Sequence, residues 1–159
     1  MSLTSQNYGN WSLGADDYSD TRGHKINFPE DIRSGAELAI AYPEGGENFY
    51  QPLQFHFHAP SEHTVDGKLY DAEVHFVHTY KNTDNAEEYS DRAFAVVGIF
   101  FDVEEGGDET NPFIESLWNA IDSRGTAEAS EVLVKELLGS EDLGDYWSYN
   151  GSFTTPPCT

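Results

Sequence analysis

The chain has 159 residues, with 29 acidic side chains against 8 basic ones, and the resulting formal net charge of −21 excludes a polyanionic partner such as nucleic acid. At 38% hydrophobic and 14% aromatic it has the core formers of a globular protein, enough for one domain over residues 1–159 and too few for two. No window approaches the roughly 20 apolar residues of a membrane helix, so membrane insertion is not expected. The acidic excess reads as a solvated surface that keeps the protein soluble, as a saline or acidic surrounding would favour. The single cysteine, Cys158, leaves no disulfide within the chain. Met1-Ser2-Leu3 does not begin a signal-peptide pattern, and the compartment stays open.

In chain order, residues 1–20 are polar and aromatic with Gly9 and Gly14, and read as loop with one or two short strands. Residues 23–28 alternate polar and apolar until Pro29 stops them, a short strand with His24 near its start and Asn27 near its end. Residues 37–42 form another short strand, followed by a turn at Pro43, Gly45 and Gly46 and a strand over 49–58. The order of short strands and turns predicts a β-dominated fold, a twisted and mostly antiparallel sheet with a few peripheral helices.

Residues 54–78, QFHFHAPSEHTVDGKLYDAEVHFVH, hold five of the six histidines. Side chains two apart on a strand share a face, so His56 and His58 project together with Gln54, while Phe55 and Phe57 turn toward a core. A second alternating run over 70–80 puts Glu73, His75 and Val77 on one side, and Val74, Phe76 and His78 on the other. The Pro, Asp and Gly containing connection over 59–69 suits an antiparallel return, which would bring His75 opposite His56 and His58. Three neutral imidazoles converging from neighbouring strands make the ligand set of a catalytic zinc site with one corner left for water. The alternative for the trio taken alone is a pair of core histidines bonded to backbone carbonyls.

Residues 81–91 are polar and read as a loop, and 93–103 form a nearly continuous apolar run fit for a central strand buried on both faces. After an acidic glycine loop, Asn111 reads as an N-cap with Pro112 at the first helical position. Phe113, Leu117 and Ile121, with Ile114 and Trp118 beside them, form the core stripe of an amphipathic helix ended by Gly125. Residues 130–138 suit a short second helix.

The segments QFHFHAPSEH, AEVHFVH, FAVVGIFF and YWSYNGSFTTPPC, in this order and preceded by GHKINF, closely resemble the α-class carbonic anhydrases. The resemblance implies reversible hydration of carbon dioxide to bicarbonate and a proton by hydroxide generated on zinc, with His56, His58 and His75 as the zinc ligands. It makes Gln54 the hydrogen-bond partner of His56, and Glu73 that of His75, fixing the rings as outer partners of metal ligands do. It implies that Thr154 donates to Glu62 and so orients the nucleophile, and that His24 exports the proton, a task suited to an imidazole. Arg22 lies where it could lower the pKa of His24 or hold the ring outward. Val77, Phe94, Val96 and Phe153 become the apolar wall for carbon dioxide, with Thr155 beside Thr154, and Asn27 helps order water. His63 and His78 become structural, hydrogen-bonding histidines.

The chain departs from the family pattern in length: the family begins earlier than Met1 and continues past TTPPC, so this sequence reads as an incomplete domain. The carbonyl that would orient His58 is not found in it, nor is a partner for Cys158. Self-association, or a second chain that completes the sheet, is the corresponding expectation. A secreted, periplasmic or lumenal origin follows from the resemblance only. The alternative to an active enzyme is a structural or binding subunit that keeps the fold and the zinc without turnover.

Overall fold

The computed structural model describes residues 2–14, 17–19, 25–81, 93–104, 109–138, 143–156 and 158. The elements, in order, are β1 (Ser2–Gln6), β2 (Trp11–Ser12), β3 (Tyr18–Ser19), β4 (Lys25–Asn27), α1 (Glu30–Gly35), β5 (Glu37–Ala41) and β6 (Glu47–His58). They continue with β7 (Thr64–Val65), β8 (Lys68–Leu69), β9 (Ala72–Tyr80), β10 (Phe94–Phe101), α2 (Pro112–Ser123), β11 (Glu131–Val132) and α3 (Lys135–Leu138). The fold is β-dominated with peripheral helices, as the alternation of short apolar runs and turns predicts.

The twelve-residue β6 organises the main sheet. One of its edges pairs β5 through Glu47–Tyr50 and β4 through Gln54 and Phe55; the other pairs β9, which in turn pairs β10. β1 extends the sheet beyond β5 and β3 extends it beyond β4, and every ladder is antiparallel. The return from β6 to β9 contains the small hairpin β7–β8, whose two turn residues Asp66 and Gly67 have φ of 51° and 82°, the left-handed backbone an Asp-Gly hairpin turn requires.

A register shift between Pro52 and Gln54 turns β6 over halfway along its length. Before it, Tyr50 pairs Tyr80 and Pro52 pairs His78; after it, Gln54 pairs Val77 and His56 pairs His75. The extra residue, Leu53, therefore moves the downstream side chains to the opposite face from the upstream ones. Its carbonyl accepts from the Phe28 N–H at 3.1 Å, and the Pro52 carbonyl accepts from the Arg33 guanidinium at 3.3 Å, so both carbonyls at the shift are bonded.

One face of the sheet meets the core. Phe55, Phe76, Val74 and Ile26 are fully buried there against Phe28, Trp11, Leu13 and the Phe113–Leu117–Ala120 stripe of α2. Phe55 and Phe113 lie 5.8 Å apart between ring centroids and Phe55 and Phe76 5.2 Å, a packed aromatic layer under β6 and β9. α2 starts as expected, with the Asn111 side chain accepting from the N–H groups of Phe113 and Ile114 and Pro112 in the first turn. No described helix is long and apolar enough to cross a membrane.

The structure corrects four expectations. β10 is not a central strand buried on both faces: among the described residues it pairs β9 alone, and Phe94 and Val96 are 43% and 46% exposed. Its other face, with Val97, Ile99 and Phe101, does pack on the core, so an unbroken apolar run here marks one buried face and one open one. Ile114 and Trp118 of α2 lie outside the core stripe, Trp118 at 72% exposed, because the buried arc is narrow and is completed by Ser116 and Ala120. Residues 130–138 divide into β11, which pairs β2, and the short α3. Finally, residues 1–20 contain three short strands where one or two were expected. Pro29 does end the β4 run, and it also serves as the N-cap of α1, with Glu30 and Asp31 in the first turn, where acidic groups suit the helix dipole.

Candidate metal centre

Strand register builds the site. The pairs His56–His75, His58–Glu73, Gln54–Val77 and Asn27–Gln54 all project from one face of the sheet, since directly opposite residues of a ladder share a side. β10 adds Gly98 opposite His75, Val96 opposite Val77 and Phe94 opposite Thr79 to the same face. Of the expected pocket residues, Val77, Val96, Phe94 and Asn27 are thus brought to the imidazole side, and Phe153 meets Phe94 edge-on with ring centroids 4.9 Å apart. Val77 is 2% exposed, whereas Phe94, Val96, Thr154 and Thr155 are open to solvent.

The rings of His56, His58 and His75 converge, with centroids 4.9, 5.4 and 4.6 Å apart for the pairs 56–58, 56–75 and 58–75. One nitrogen from each lies within 4.8 Å of the others. Two of the rings are held by their remaining nitrogens: His56 Nδ1 lies 2.9 Å from Gln54 Oε1, and His75 Nε2 lies 2.8 Å from Glu73 Oε1. That leaves Nε2 of His56 and Nδ1 of His75 for a common ligand. His58 Nε2 is buried with no hydrogen-bond partner, while its Nδ1 lies 3.4 Å from Glu62 Oε1. An orphaned buried nitrogen costs about 1–3 kcal/mol unless something binds it.

His56 and His58 are both shifted toward the neutral ring, the form that ligates a metal. Burial, followed by the neighbouring His58 and His75, pushes His56 down to about 4. Burial also lowers His58, against the raising pull of Glu62. Zinc fits this donor set: three imidazole nitrogens, two outer partners that fix ring orientation, and a buried unpaired lone pair among them.

Glu73 is the hub behind the rings. Its Oε1 accepts from His75 Nε2 at 2.8 Å and faces His63 Nδ1 at 2.6 Å, and its Oε2 accepts from the N–H groups of Glu62 and His63, each at 3.0 Å. Burial raises the Glu73 pKa, but the His63 backbone bond and then the His75 and His63 side chains outweigh it and hold the carboxyl below its usual range. His63, Glu73 and His75 also form a compact cluster of potential ligands, yet their facing atoms already bond one another. Gly98 makes room for this hub, because a Cβ there would stand 2.6 Å from Glu73 Oε1.

Thr154 Oγ1 donates to Glu62, 3.1 and 3.0 Å from its two oxygens, the pairing expected across 92 residues of sequence. His63 joins Glu73 to the Tyr149 hydroxyl, 2.5 Å from its Nε2, and His78 is fully buried with Nε2 2.6 Å from the Tyr8 hydroxyl and Nδ1 3.3 Å from the Ala95 carbonyl. Burial pushes His78 down to about 4, and burial with the charge of Glu37 raises the Tyr8 phenol. His24 and Arg22 lie outside the described residues. Tyr8, Tyr149 and Gly98 do not stand out in the sequence: each acts through a partner distant in the chain, as with Gly98 against Glu73 and Tyr149 against His63, and no local pattern marks them.

A family model described as eukaryotic-type carbonic anhydrase matches residues 18–159. A carbonic anhydrase of Nostoc sp. is 34% identical over 151 residues, an alignment covering 89% of this chain and 49% of that protein. One from Neisseria gonorrhoeae is 30% identical over 146 residues, covering 85% and 52%. Among solved structures, a fungal alpha carbonic anhydrase from Aspergillus oryzae superposes with a TM-score of 0.64 at 28% identity, covering 99% of this chain and 59% of that one. The alpha carbonic anhydrase of Thermovibrio ammonificans, in complex with the inhibitor sulfanilamide, gives 0.64 at 29% identity, covering 100% and 60%. The chain spans about half the length of these curated relatives.

Proposed function

From the premise that the chain belongs to the eukaryotic-type, or α-class, carbonic anhydrase family, we propose that it is a zinc enzyme that interconverts carbon dioxide and bicarbonate. The observation that carries this reading is the convergence of His56, His58 and His75, with one nitrogen of each within 4.8 Å and with Gln54 and Glu73 behind two of the rings. Those three side chains would hold Zn2+. The ion, when bound, supplies a Lewis acid that brings the ionisation of water toward neutral pH.

The chain's own residues do the rest. Thr154 donates its hydroxyl hydrogen bond to Glu62, so its Oγ1 is left to accept from the attacking oxygen and aims that oxygen's lone pair toward carbon dioxide. Val77, Val96, Phe94 and Phe153 offer apolar walls, which suit a substrate without charge or strong hydrogen-bonding groups. Asn27 and Thr155 are assigned to ordering water and lining the pocket, and His24 to carrying the released proton to solvent. We take residues 1–159 as a single unit whose β10, paired with β9 alone among the described strands, accepts a further strand, from a second copy or another chain.

The second reading, a zinc-holding structural or binding subunit without turnover, is favoured by the exposure of Thr154, Phe94 and Val96. Elemental analysis of the purified chain together with stopped-flow carbon dioxide hydration separates the two. One zinc per chain with hydration above the buffer blank is expected. Zinc without turnover selects the structural reading, and neither zinc nor turnover overturns both.

A further inference from the structure

We propose that Lys25 is the anion-attracting residue of this centre, a cation beside His56 that draws bicarbonate to the imidazole face of a protein whose overall charge repels it. The inference rests on the function proposed above. β4 and β6 pair Ile26 with Phe55 and Asn27 with Gln54. The same antiparallel register, carried one residue further, sets Lys25 across from His56. Ile26 is fully buried between two half-buried neighbours, so Lys25 and Asn27 leave the strand on the imidazole side. Opposed residues of such a ladder have Cβ atoms about 5 Å apart, close enough for the ammonium to sit at the rim of the ring trio. Its charge is among the influences acting on His56.

Four other described cations are engaged, and Lys135 stands on α3, away from the sheet ladders. Arg33 pairs with Glu30, Lys68 with Asp102 and Lys81 with Glu37, and Arg124 donates to the Ile121 carbonyl and lies over the Tyr18 ring. Lys25 meets no carboxylate among the described residues. The two carboxylates at the rings are themselves bonded, Glu62 by Thr154 and Glu73 by four donors, and an approaching anion must pass them. In a chain of net charge −21, a cation at this place favours a monoanion while leaving neutral carbon dioxide unaffected.

The test loads the full chain with Co2+, whose visible absorption reports ligands at the metal as spectroscopically silent zinc cannot, and titrates it with bicarbonate and with thiocyanate. At low ionic strength Lys25→Gln is expected to weaken the affinity for both anions roughly fivefold, the scale of one charge acting through partly screened solvent. Lys25→Arg should retain the wild-type affinity. The difference should vanish in about 0.5 M salt, where the Debye length is only a few ångströms. Equal affinities for wild type and Lys25→Gln at low salt overturn the proposal and leave the metal reading intact. A wild-type chain that gives no cobalt spectrum overturns the metal reading itself, and the role of Lys25 with it.

Discussion

The β6–β9 strand pair and the segment 143–156 both serve the imidazole face, and they do so by opposite means. In β6–β9 the working side chains are set by a backbone ladder: His56 lies opposite His75, and His58 opposite Glu73, with Glu73 and His75 only 1% and 7% exposed. The segment 143–156 contains no described strand, leaves Trp147 and Tyr149 79% and 70% exposed, and reaches the centre through two side-chain bonds, Tyr149 to His63 and Thr154 to Glu62. Under the proposed function, holding an ion falls to the laddered part of the molecule. Directing the chemistry is assigned to groups that depend on long-range contacts, so the two properties should separate under mutation.

The sharpest way to break that separation is at the ladder. His75→Ala should abolish tight zinc uptake in equilibrium dialysis, a loss beyond the roughly 10–100-fold that follows from removing an outer partner; retention of zinc would show that the ladder does not define the site. Glu73→Ala should destabilise the fold by about 3–5 kcal/mol in urea denaturation, because it removes the buried acceptor of four hydrogen bonds, each worth about 1 kcal/mol. Gly98→Ala pushes a methyl group against the same carboxylate and should cost about 1–3 kcal/mol.

Next in size is the buried His78. Its folded pKa, near 4, lies below the ordinary 6.5. The unfolded chain therefore binds the proton first, and the stability contributed by the neutral ring is complete above pH 6.5 and is lost as pH falls toward 4. Across that window wild type should lose about 3 kcal/mol that His78→Gln does not, read from paired denaturation curves. A parallel pH dependence in the two proteins would remove His78 as its source. The smallest effect is expected in the exposed segment: Thr154→Ala should change stability by no more than about 0.5 kcal/mol and leave zinc uptake intact while lowering carbon dioxide hydration. Loss of zinc in that variant would erase the contrast between the two regions.

Much of this was legible because its causes are local. Alternation fixes faces, so Gln54, His56 and His58 on one run and Glu73 and His75 on the other could be assigned to a common side from the sequence. The capping of α2 by Asn111 and Pro112 follows from three adjacent residues. The burial of β10 was not legible, since an apolar run does not say how many neighbours cover it, and here β9 is its partner among the described residues. Nor is the space beside Glu73 legible: nothing in the run FAVVGIFF marks Gly98 as the residue that faces a carboxylate. Tyr8 and Tyr149 were hidden for the same reason, as their hydroxyls answer histidines distant in sequence.

The shift at Leu53 makes β6 a strand with no slack in phase. Removing that one residue would keep every histidine and every aromatic in the chain and still exchange their sides, aiming Phe55 and Phe57 outward and sending His56 and His58 into the aromatic layer. The upstream half could not slide to compensate without giving up Tyr50 against Tyr80 and the whole β5 ladder. Substitutions in this region can be absorbed one side chain at a time, but a gain or loss of a single codon there inverts the sheet's inside and outside at a stroke.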